Sequence, residues 1–143
     1  MNSKSFLAFL LTLIAIITVV AGFAIKFHGM FYYKPEDCEG YSLILFADEN
    51  KVDTVVGKGK LIFLRVVNAG DFGDKYQVSL FGPEWAVVKP DSFTLRSEEV
   101  KTLFVYISPD VGTEGRYDLD VTVSSDCVSG TERIEVGVIK EEI

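Results

Sequence analysis

Residues 6–25 read FLAFLLTLIAIITVVAGFAI, a run of 20 residues without a charged side chain. At about 1.5 Å of rise per residue, a helix of that length crosses the roughly 30 Å hydrocarbon core of a bilayer. Such a run either stays as a spanning helix or is removed as a secretory signal. Signal apolar regions are typically ~7–15 residues, so the length favours the retained helix, although Gly22-Phe23-Ala24 has the small-x-small form of a cleavage site. Just beyond lie Lys26, Phe31, Tyr32 and Tyr33. Amphipathic rings beside a cation suit the headgroup region. The expected organisation is a short cytoplasmic tail at 1–5, a transmembrane helix at 6–26, an interfacial stalk at 27–40 and a β domain at 41–143.

Flanking charge alone does not orient the helix, because Lys4 stands on one side and Lys26 and Lys34 on the other. Residues 27–143 hold 12 Lys and Arg against all 21 Asp and Glu, a net −9. A long polar domain translocates largely regardless of its charge, and two cysteines in a β domain suit an oxidising compartment. The expectation is a single-pass cell-membrane protein with its amino terminus inside and its β domain outside.

About 105 residues follow the stalk, enough for one domain with its own core and too few for two. Apolar residues there recur with a period of two. The segment LIFLRVVN at 61–68 alternates Ile62, Leu64 and Val66 with the other face. The segment KYQVSLF at 75–81 alternates Tyr76, Val78 and Leu80 with Gln77 and Ser79. KTLFVYI at 101–107 aligns Leu103, Val105 and Ile107; RYDLDVTVSS at 116–125 aligns Tyr117, Leu119, Val121 and Val123; ERIEVGVI at 132–139 aligns Ile134, Val136 and Val138. That period with one polar face describes half-buried antiparallel strands. With strands near 41–47, 85–88 and 93–95 the count is seven or eight, separated by turn signals such as Asn68-Ala69-Gly70-Asp71, Gly82-Pro83 and Pro109-Asp110. Short strands at this spacing predict an all-β, immunoglobulin-like antiparallel sandwich behind one transmembrane helix. Its expected core is Ile62, Leu64, Val66, Val78, Leu80, Val105, Leu119, Val121 and Val136.

Gly115-Arg-Tyr117 sits where such sandwiches carry a tyrosine corner, a Tyr after a glycine turn whose hydroxyl bonds back to the backbone. An ordinary strand tyrosine fits the same motif. Taken with Arg65-Val-Val-Asn-Ala-Gly70, Tyr76-Gln-Val-Ser-Leu80, Gly82-Pro-Glu-Trp-Ala86, Pro90 and Leu95, it resembles the immunoglobulin-like CARDB and NEW3 modules of archaeal and bacterial envelope proteins. The resemblance spans about residues 60–123. It implies the sandwich fold, an extracellular place and a structural or adhesive role, and it implies no catalytic residue. In such a sandwich the first strand starts at the pole where the sixth ends. Cys38 and Cys127 flank those two positions, so a disulfide between them is expected. Two free thiols are the alternative; a metal site lacks ligand spacing.

The chemistry available to this domain is narrow. The sole histidine, His28, lies in the stalk, so no Ser/His/Asp or Cys/His set can form in the domain. Asp118 and Asp120 share a strand face and read as solvated surface. Asp48, Glu49, Asn50 and Asp53 offer oxygen ligands suited to Ca²⁺ without the spacing of a calcium loop. Trp85 suits either core packing or an exposed stacking ring. No Asn-x-Ser/Thr acceptor occurs. The scarcity of Asn and Gln points weakly to a thermophilic source. A net charge of −7 with scattered basic residues excludes nucleic acid as the expected partner. No cofactor and no enzymatic activity are expected.

The expected partners are the lipid bilayer and other envelope or membrane proteins. Further copies of the chain could instead join through the helix, where Ala21 and Gly22 permit close approach, or through sheet edges. The expected role is an accessory or scaffold subunit of a cell-envelope assembly. The alternative is a pilin- or archaellin-like filament subunit, for which Lys4-Ser5-Phe6 loosely resembles a processing site.

Overall fold

The computed structural model describes residues 37–141. The apolar run, His28 and the interfacial Lys26, Phe31, Tyr32 and Tyr33 lie outside the described residues. Among the described residues nine strands form: β1 Leu43–Ala47, β2 Lys51–Val55, β3 Lys60–Asn68, β4 Asp74–Phe81, β5 Ala86–Lys89, β6 Ser92–Leu95, β7 Val100–Ile107, β8 Gly115–Ser124 and β9 Ser129–Ile139. They make a four-stranded sheet, β1-β3-β7-β5, and a five-stranded sheet, β2-β9-β8-β4-β6.

The alternation in the sequence decides which residues lie between the sheets. Leu64, Val66, Leu103, Val105 and Ile107 from one sheet meet Tyr76, Leu119, Val121, Val123, Ile134 and Val136 from the other, all without exposed surface. Burying side chains of this size stabilises by ~1.5–3 kcal/mol each before conformational entropy is counted. Val78 and Leu80, expected in the core, are only partly buried. Beyond Gln77, β4 has lost its partner β6 and forms the margin of its sheet.

The expected seven or eight antiparallel strands are corrected to nine strands with one parallel pairing. β2 lies in the acidic segment around Asp48, Glu49, Asn50 and Asp53, where no strand is expected from the sequence, and it runs parallel to β9, with Lys51 opposite Glu135 and Val55 opposite Ile139. Val52 and Thr54 point inward and are buried. The first strand of the sandwich is thus divided. β1 pairs with β3, and after three residues β2 crosses to the other sheet.

Register places the connections at two poles. The start of β1, the end of β3, the end of β8 and the start of β9 share one pole. Segments 56–59 and 108–114 and the end of β9 lie at the other. At the first pole Cys38 and Cys127 are joined in a disulfide, with Cα atoms 5.2 Å apart across 89 residues of sequence. Asn68 closes the same pole. Its amide donates to the carbonyls of Phe72 at 2.7 Å and Leu95 at 3.3 Å, and accepts from the Gly70 N–H at 3.1 Å. A Cβ on Gly70 would stand 2.5 Å from the Gly40 carbonyl oxygen, so that turn needs glycine.

Candidate interaction surface

The two outer faces of the sandwich differ in chemistry. The five-stranded sheet presents ion pairs. The Arg133 guanidinium reaches the Asp120 carboxylate at 2.7 and 2.9 Å and Asp118 at 3.8 Å. Arg116 pairs with Glu135, which also meets Lys51 at 3.5 Å. The bond from Arg133 holds the Asp120 carboxyl below the usual range, and Arg116, followed by Lys51, does the same for Glu135. Asp118 and Asp120 are therefore members of a solvated ion-pair lattice, with Thr122 and Thr131 bonded across it at 2.8 Å.

The four-stranded sheet presents hydrocarbon. β1 turns Ile44 and Phe46 outward, β3 turns Leu61 and Phe63, and β7 turns Phe104 and Tyr106. Val87 and Val100 continue the patch, and these eight side chains remain 39–54 % exposed. Phe63 stands opposite Phe104 in the register, and their rings meet edge to face at 5.7 Å. Arg65 lies beside them with its guanidinium 5.8 Å from the Phe46 ring centre. Because β1 leaves the sheet after Ala47, the β3 edge at Leu61–Phe63 borders a notch of about 170 Å³ whose other wall is Asp48 and Glu49.

The residues singled out in the sequence occupy separate places. Tyr117 donates its hydroxyl to the Thr113 carbonyl at 2.9 Å, bracing the turn before β8. Its ring meets Trp85 edge-on at 5.1 Å, so the indole packs at the end of the core rather than standing free. The acidic segment at 48–53 does not converge: Asp48 pairs with Arg65, Glu49 with Lys60, and the Asn50 carbonyl accepts from the Glu135 N–H. Among the described residues no three His, Cys, Asp or Glu gather around a metal-sized point. A polar cleft of about 280 Å³ lies between Asp74, Lys75 and Gln77 on one side and Ser124, Ser125 and Asp126 on the other. In the core, the Tyr76 hydroxyl is buried without a protein partner. Burial, aided by the Asp74 charge, pushes its pKa up to about 12.

The outward aromatic face was missed in the sequence, although a signal for it exists. In LIFLRVV and TLFVYI apolar residues occupy both parities, and a strand apolar on both faces expects cover on both.

No known protein family and no functionally characterised protein matches the sequence. Solved structures do match the fold. The ASH/PapD-like domain 7 of human CEP192 superposes with a TM-score of 0.55 at 16% identity, over 68% of this chain and 87% of that one. A family 123 glycoside hydrolase from Clostridium perfringens gives 0.61 at 9% identity, over 70% of this chain but 28% of the enzyme. The periplasmic chaperone SfaE gives 0.50 at 19% identity, over 71% of this chain and 59% of the chaperone. At these identities the likeness establishes the fold alone: an immunoglobulin-like sandwich built of two facing sheets.

Proposed function

We propose that the chain is a membrane-anchored, extracytoplasmic interaction module. In this reading residues 6–26 span the cell membrane once, the amino terminus lies inside, and the sandwich outside contacts other proteins as a non-enzymatic accessory or scaffold subunit of a cell-envelope assembly. The resemblance to CARDB and NEW3 modules supports that placement. The observation that carries the reading is the outer face of the four-stranded sheet. Its exposed aromatic and aliphatic residues form a patch larger than monomeric proteins ordinarily leave in water. The disulfide between Cys38 and Cys127 supports an oxidising compartment. A PapD-like domain and a periplasmic chaperone among the structural likenesses fit a module that works through protein contact.

The test is purification of the full chain from native membranes in mild detergent. It should co-purify with envelope proteins or with itself, and lose that association when residues 1–26 are deleted. Filaments in electron micrographs would replace this reading with the pilin-like one. A monodisperse monomer that turns over a substrate would overturn it.

A further inference from the structure

We infer that the outer face of the four-stranded sheet is a self-association surface, covered by the same face of a second copy of this chain. The inference rests on the interaction-module reading above and names the partner.

Area is the first argument. Eight apolar side chains at 39–54 % exposure leave roughly 700 Å² uncovered, taking about 200 Å² as the full surface of such a residue. A stable protein interface uses about 800 Å² per partner. The patch is thus near the size that one sheet face of equal extent would cover.

Charge is the second and decides the occupant. Three cations on and beside this face have carboxylates of their own chain. Arg65 meets Asp48 at 3.4 Å, Lys60 meets Glu49 at 3.5 Å and Lys89 meets Asp91 at 2.8 Å. An acidic peptide or an anionic lipid surface would find no unpaired cation among these three. A surface apolar at its centre and neutralised at its border needs a partner with the same properties, and an identical face supplies them. The ion-paired face of the five-stranded sheet has no such need, because water already solvates it.

Geometry is the third. The Phe63–Phe104 pair lies on the two inner strands of the sheet, so a two-fold axis near it would bring both copies' aromatics together. Two sheets stacked face to face lie about 10 Å apart with strands offset by about 30°, and a two-fold contact closes on itself without forming a chain of subunits. Two copies held in one membrane would also meet at raised effective concentration.

The test uses the full chain in native membranes with p-benzoylphenylalanine in place of Phe63. The expected photoproduct has twice the chain mass, with crosslinked peptides from β3 or β7 of the second copy. Adducts to a different protein would overturn self-association and leave the interaction-module reading standing. Adducts to lipid alone would overturn both. In detergent, Phe104→Glu should lower the dimer association constant at least tenfold, while Thr122→Glu on the opposite face should leave it unchanged. Raising salt should strengthen the wild-type dimer, since two acidic chains of net −7 repel and salt screens them. A dimer indifferent to Phe104→Glu in a variant that keeps its melting temperature would refute the surface. If that variant fails to fold, the mapped crosslink decides.

Discussion

Replacing Asn68 tests whether one buried amide holds the disulfide-bearing pole together. Asn68 is 1 % exposed, and its side chain uses both donors and its acceptor within the fold. Its backbone carbonyl accepts from the Glu98 N–H at 2.8 Å, which fixes the left-handed Glu98 at φ 63. In Asn68→Ala, the Phe72 and Leu95 carbonyls lose a donor and the Gly70 N–H loses its acceptor. Two of those bonds are buried and worth about 1–2 kcal/mol each once a partner is orphaned; the third is half-buried and worth about 0.5–1. The expected loss is about 2.5–5 kcal/mol, which for a domain of this size lowers the melting temperature by roughly 10–40 °C. Fluorescence of Trp85, the single tryptophan, suits the assay because it sits at the opposite pole and reports global unfolding. Asn68→Asp keeps the shape and removes the donors. At neutral pH its carboxylate would face two carbonyl oxygens, so it should be worse than alanine. That environment raises the folded-state pKa of the introduced acid, so its stability is retained below the unfolded value near ~3.9 and lost as pH rises through the folded one. The gap between the two variants should therefore close in acid. An Asn68→Ala loss below about 1 kcal/mol, or an Asp variant as stable as wild type at pH 7, would refute the account.

Other outcomes follow from the same structure. Cys38→Ala with Cys127→Ala should lower stability by about 4.6 kcal/mol in the chain-entropy model, read by denaturant unfolding of the oxidised and doubly substituted chains. Free-thiol labelling of the unreduced, denatured wild type should find none. Leu119→Ala empties a fully buried position and should cost roughly 2–5 kcal/mol. Absorbance titration should show one tyrosine ionising near pH 12. Because that folded-state value lies above the ordinary tyrosine value near ~10, the fold keeps its full stability with respect to the Tyr76 hydroxyl below pH 10 and loses it as pH rises through about 12. Tyr76→Phe should remove that alkaline loss and leave neutral-pH stability equal or higher, since the hydroxyl it deletes has no partner.

Most of the framework was legible because one physical rule, alternation toward a shared core, governs β3, β4, β7, β8 and β9. Their cores match the sequence-derived sets apart from the marginal Val78 and Leu80. The segment that became β2 was opaque for a local reason. Lys51-Val-Asp-Thr-Val follows Asp48-Glu-Asn and reads as an acidic loop, and its pairing with β9 spans more than eighty residues of chain. Asn68 read as a turn signal, which it is, but its role as a buried staple depends on tertiary geometry that no local pattern contains: the Leu95 carbonyl arrives from β6. The aromatic face went unread because outward residues were assigned to water by default. The charged lattice of the other sheet obeys that default; Phe46, Phe63 and Phe104 do not.

The disulfide also determines how the domain would transmit a pull along the chain. Tension arriving from residues before Cys38 would pass through the sulfur bridge to Cys127 and enter β9 directly. It would leave at Ile139, so β1 to β8 lie outside the path. A β strand already rises ~3.2–3.4 Å per residue, close to the limit of a fully extended chain. β9 is therefore nearly inextensible along its own axis, and β2 and β8 flank it on both sides. Without the bridge the same pull would fall on β1, a five-residue edge strand, and load its few bonds to β3 in shear. With it, the sandwich behaves as a bead clamped on a taut cord, and the surface it displays keeps its shape while the cord is stretched.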